Sequence, residues 1–67
     1  MSAWVDRIFE SDTAHRGSVV RRSRRTVERY STPEELEREV RRRGFHMVLH
    51  RDQYVIFCDA ASIQIIC

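Results

Sequence analysis

The stretch "GSVVRRSRRTVERY", residues 17–30, decides how this chain folds, because its side chains fit two periods at once. Wound at about 100° per residue, Val19, Val20, Ser23, Thr26, Val27 and Tyr30 gather within roughly a third of a turn, and every arginine falls outside that sector. Read so, residues 19–30 form an amphipathic helix with one arginine face and Ser18 as its cap. Laid out as a strand, Val20, Arg22, Arg24, Thr26, Glu28 and Tyr30 alternate with Val19, Arg21, Ser23, Arg25, Val27 and Arg29, and neither side is apolar. The β-branched residues Val19, Val20, Thr26 and Val27 nevertheless favour strands. The periodicity predicts a helix over 19–30, with a strand at 18–22 or 24–30 as the competing reading.

The flanking segments are less ambiguous. In "AWVDRIFE" (3–10), Trp4, Val5, Ile8 and Phe9 lie on one helical face, and Ser2 can cap the helix. "SDTAHRGS" (11–18) has no periodicity and contains Gly17, so it reads as a loop. In "STPEELEREVRRRGF", Thr32 as N-cap, Pro33 at the first helical position and Glu35 three residues after the cap form a capping box. Glutamates fill the early turns and Arg41, Arg42 and Arg43 the last, in accord with the helix dipole. Gly44 ends this helix, 33–43, in the left-handed conformation, and Phe45 folds back on its last turn.

After Gly44 the period becomes that of strands. Phe45, Met47 and Leu49 alternate with His46, Val48 and His50, and a turn at Arg51–Asp52 sets Leu49 opposite Tyr54, Met47 opposite Ile56 and Phe45 opposite Cys58. The other face carries His46, Val48, His50, Gln53, Val55 and Phe57. After the loop "DAAS", the segment "IQIIC" reads as a third strand. The expected fold is α+β: short helices near 3–10, 19–30 and 33–43, followed by and packed on a three-stranded antiparallel β-meander at 45–50, 53–58 and 63–66.

Length and composition narrow the function. The 67 residues suffice for one small domain, near the lower size at which a core holds a fold without disulfides or metal. With 42% apolar and 33% charged residues the chain reads as globular. Its longest apolar run, Tyr54–Cys58, is far short of the roughly 18–20 residues that cross a bilayer. Without a basic N-terminal region leading into an apolar stretch, the expected compartment is cytoplasmic, and Cys58 and Cys67 are expected to be reduced thiols.

All twelve cations are arginine, and their placement is uneven. Along the 33–43 helix, Glu34–Arg38, Glu37–Arg41 and Glu39–Arg43 are i,i+4 pairs, each worth about 0.2–0.5 kcal/mol. Between residues 16 and 29, Arg16, Arg21, Arg22, Arg24, Arg25 and Arg29 meet only Glu28, a local excess of five positive charges. Such an excess suits a polyanion, and the expected function is a small non-catalytic nucleic-acid-binding or regulatory protein. Arg21, Arg22, Arg24, Arg25 and Arg29 would contact RNA or DNA phosphates. The alternative is an adaptor or inhibitor that binds a protein, or a second copy, through the apolar face of Val48, Val55 and Phe57, or binds an acidic protein through the same arginines. That face is otherwise covered by the 3–10 helix, which would put helices on both sides of the sheet.

Other chemistry finds less support in the residues. A helix-turn-helix would offer the major groove a helix opening Glu34, Glu35, Glu37, which repels phosphate. "RGFHMVLH" (43–50) resembles the first ribonucleoprotein motif of RNA-recognition domains at Arg43, Gly44, Phe45 and Val48, and departs from it at His46, Met47 and His50. The order helix, Gly-Phe, hairpin resembles the HicA toxin ribonucleases; that resemblance puts their catalytic Gly-Ser-His near Asp52–Tyr54, where this chain reads Asp-Gln-Tyr. His46 and His50 share a strand face that Cys58 does not, and no close Cys or His spacing marks a metal site. No catalytic residue, metal or small-molecule cofactor is expected.

Overall fold

A computed structural model, describing residues 2–67, divides the 17–30 stretch at Ser23. Ser23 is extended, and its hydroxyl accepts the Thr26 N–H at 3.1 Å, so a strand ends and a helix begins at this one residue. The chain runs α1 (Ala3–Glu10), α2 (Asp12–His15), β1 (Val19–Ser23), α3 (Arg24–Tyr30), α4 (Pro33–Arg42), β2 (His46–His50) and β3 (Gln53–Phe57). The continuous helix over 19–30 is therefore corrected. Val19 and Val20 take the strand conformation their branched side chains prefer, while Val27 points inward from a separate helix.

The α+β class and the three-stranded antiparallel sheet stand, with a different third member. The order is β1-β3-β2, not a meander ending at 63–66. The hairpin forms in the expected register, Leu49 opposite Tyr54 and Met47 opposite Ile56, across the turn at Arg51 and Asp52. The other edge of β3 is taken by β1, with Val20 opposite Ile56 and Arg22 opposite Tyr54, and Cys58 N–H donates to Ser18 C=O just beyond. Both edges of β3 are thus occupied, and residues 63–66 find no edge of it to join. Ile65 and Ile66 remain 84% and 81% exposed.

Strand alternation puts the core on one face only. Val20, Tyr54 and Ile56 point inward and meet Val5, Ile8 and Phe9 of α1, Ala14 of α2, Val27 of α3 and Leu36 and Val40 of α4. Because α1 packs here with the other helices, the expected second helical layer over Val48, Val55 and Phe57 does not exist. Full burial of each large apolar side chain in this core contributes about 1.5–3 kcal/mol.

Helix ends follow local chemistry. Gly44 (φ +72°) closes α4 with Phe45 N–H donating to Val40 C=O and Gly44 N–H to Arg41 C=O, both at 3.0 Å, and Phe45 packs 6.0 Å from Phe9. Gly17 (φ +70°) ends α2 in the same way, through Ser18 N–H to Thr13 C=O and Gly17 N–H to Ala14 C=O. Ser11 starts that single turn by accepting the Ala14 N–H, so 11–18 is not the plain loop expected.

The capping box at α4 is half made. Thr32 accepts the Glu35 N–H at 3.1 Å, but the Glu35 carboxylate accepts instead from the Ser2 N–H and from the Ser31 hydroxyl. It ties the start of α1 to the start of α4. Glu39, 2% exposed, is the one buried charge among the described residues, and it is answered by Arg42 and Arg43. Arg43 also lies 4.6 Å above the Phe9 ring. Glu37 pairs with Arg41 at 2.9 Å, whereas Glu34 and Arg38 make no such pair.

Candidate functional site

Splitting the arginine segment between a strand and a helix spreads its charges over four places. Arg21, on β1, points to the outer face of the sheet, in register with Val55 and through it with Val48. Arg22 points to the helical side beside Tyr54, and its guanidinium turns back to donate to the Arg21 carbonyl at 2.7 Å. Arg24 and Arg25 open α3 and line a shallow hollow with Ser23, Glu28 and Asp52. Arg29, at the far end of α3, lies 5.6 Å over the Tyr30 ring, which in turn stacks on Trp4 at 5.7 Å. The single arginine face expected of a continuous helix is not formed.

Few of these charges are answered. Among the described residues, Arg24 alone of the six arginines from Arg16 to Arg29 has a carboxylate within 4.0 Å, that of Glu28 at 3.7 Å. Both partners of that pair are half exposed, which limits it to about 0–1 kcal/mol. Arg24 and Arg25 also stand in the first turn of α3, which holds no acid and where the helix dipole disfavours cations. Sequence reasoning missed Asp52 as their neighbour. Its proximity follows from β1 pairing beside β3, which local periodicity does not reveal.

The outer face of the sheet is open to solvent. Its nine outward positions form three rows across the strands: Val19, Phe57, His46; Arg21, Val55, Val48; and Ser23, Gln53, His50. Val48 is 44% exposed, and Val55 and Phe57 are half-buried. No carboxylate occupies any of the nine positions. The His46 ring is hydrogen-bonded to the Ala61 carbonyl at 2.9 Å, where the chain leaving β3 passes the rim.

The ribonucleoprotein resemblance does not carry into three dimensions. Phe45 and Met47, which fall at two of that motif's aromatic positions, are turned to the helices and pack against the core. His46 and His50 point outward and Cys58 inward, as strand alternation requires. Among the described residues no three His, Cys, Asp or Glu side chains come together as metal ligands. Cys58 and Cys67 are free thiols, the first buried, with its pKa raised by that burial, and the second exposed. Among the described residues no helix is long and apolar enough to cross a membrane.

No protein-family model matches this chain, and neither a curated protein nor a solved structure is significantly similar to it.

Proposed function

We propose that this protein binds nucleic acid without catalysis, contacting phosphates through Arg21, Arg22, Arg24, Arg25 and Arg29. One observation carries the reading: apart from Arg24, these guanidiniums have no carboxylate within ion-pair distance among the described residues. Five like charges held on a short β–α unit repel one another, and a polyanion relieves that repulsion while releasing its own counterions. Arginine suits the task because its planar fork meets two phosphate oxygens at once.

The test is a salt series of RNA and DNA binding followed by fluorescence anisotropy. Affinity is expected to fall linearly with log salt, and Arg21→Glu/Arg25→Glu to weaken binding at every salt concentration and flatten the slope by about 2. Absence of binding at low salt, or binding indifferent to salt, overturns the proposal. A second reading, a protein partner or second copy seated on Val48, Val55 and Phe57, is favoured by the lack of any helix over that face.

A further inference from the structure

We infer that the open face of the sheet is the seat of a single RNA strand, an inference that rests on the phosphate-binding reading above and names its ligand. The face combines the three surfaces an unpaired strand needs. Phe57, at the centre of its row, and the neighbouring Val55 offer an apolar platform for the flat faces of bases. Arg21 lies beside that platform on the edge strand, and Arg24 and Arg25 continue the positive charge beyond Ser23 at the end of the same strand. Beside Ser23, whose hydroxyl is taken up by the cap on Thr26, Gln53 and His50 supply side chains that both donate and accept, suited to base edges and to the ribose 2′-hydroxyl.

Dimensions and charge fix the choice of occupant. Strands of five residues give a platform about 13 Å long, and three strands make it about 10 Å wide, room for two or three bases. A duplex keeps its bases stacked inside and can present to this flat surface little besides phosphate. A second copy of the chain fits the charge less well. Self-pairing across this face would bring two copies of Arg21 onto a surface whose nine outward positions hold no carboxylate to receive them.

The experiment uses the full chain with a mixed-sequence 12-nucleotide RNA strand, the DNA strand of the same sequence, and the RNA duplex, each followed by anisotropy. The RNA strand is expected to bind at least tenfold more tightly than the duplex and more tightly than the DNA strand. Phe57→Ala should weaken strand binding about tenfold and leave duplex binding unchanged. Phe57→Leu keeps most of the volume and removes the ring, so the same loss in that variant, with an unaltered circular dichroism melt, excludes misfolding as the cause. Equal affinity for strand and duplex, with both Phe57 variants silent, overturns the inference, while a continuing effect of Arg21→Glu/Arg25→Glu leaves the phosphate reading standing. Equal affinity for the RNA and DNA strands also overturns it, since the ribose then goes unread. So does a dimer of the free protein, seen by light scattering, that Phe57→Leu dissociates.

Discussion

Arg24 and Asp52 are joined backbone to backbone: the N–H of the first residue of α3 donates to the carbonyl of the hairpin turn at 2.6 Å. This bond and the Ser23 cap fix the point at which strand gives way to helix. The boundary positions the site, because it sends Arg21 to the open face of the sheet and Arg24 and Arg25 to its end.

Ser23→Ala is therefore expected to destabilise the protein by about 1 kcal/mol through loss of the bond to the Thr26 N–H. For a domain of this size that lowers the melting temperature by roughly 4–8 °C. Ser18, which would cap a continuous 19–30 helix, contributes only its backbone, accepting from Cys58 and donating to Thr13. Ser18→Ala should leave the melt within about 0.5 kcal/mol of the parent. Thermal denaturation followed by circular dichroism checks both. A larger loss at Ser18 than at Ser23 would contradict the observed division of the segment.

The same segment shows where sequence patterning ends. α1, α4, the Gly44 stop and the hairpin register were legible because each rests on neighbours in sequence: an apolar stripe, a cap, a left-handed glycine, a two-residue turn. The strand at 19–23 was not, because its inward apolar content is a single residue, Val20, and its pairing with β3 spans thirty positions or more. Ser23 with Thr26 three residues on was the available local sign. Residues 63–66 have strand composition, yet composition does not show that β1 already holds the edge of β3. For the candidate site, the excess of arginine was readable in advance. The partition of Arg21 from Arg24 and Arg25, and the absence of a helix over Phe57, depended on tertiary pairing.

Acid should loosen the fold through two glutamates. Glu35 is held below its ordinary pKa of 4.5 first by the Ser2 N–H and then by the Ser31 hydroxyl, and Glu39 below the same value by its hydrogen bonds and charge interaction with Arg42, with Arg43 adding to it. Near and just below pH 4.5 the unfolded chain takes up protons that the folded chain still refuses, so stability falls as pH drops through this window and is fully present above it. Glu39→Gln is expected to cost about 1–3 kcal/mol at pH 7, toward the lower end because Arg42 stays largely wet. Glu35→Gln/Glu39→Gln should show a shallower decline between about pH 5 and pH 3 than the parent. Urea denaturation at a series of pH values measures both, and an unchanged pH slope in the double variant would remove these carboxylates from the account.

Glu28 is the one acid facing the arginine segment from within α3, and its pair with Arg24 competes with any phosphate for that guanidinium. Glu28→Gln is thus expected to strengthen nucleic-acid binding several-fold at low salt, and to steepen the dependence of log affinity on log salt by up to about 1. The gain should shrink as salt screens the added charge. The pair is exposed and runs Arg-to-Glu along the helix, the less favourable direction, so its loss costs only about 0.2–0.5 kcal/mol of stability and the variant should melt close to the parent. An anisotropy titration of Glu28→Gln beside Arg24→Gln separates the contributions. Weaker binding in Arg24→Gln with tighter binding in Glu28→Gln places Arg24 among the phosphate contacts. If both variants bind as the parent does while Arg21→Glu/Arg25→Glu still weakens binding, the phosphates are held by the other arginines and Arg24 serves only its helix.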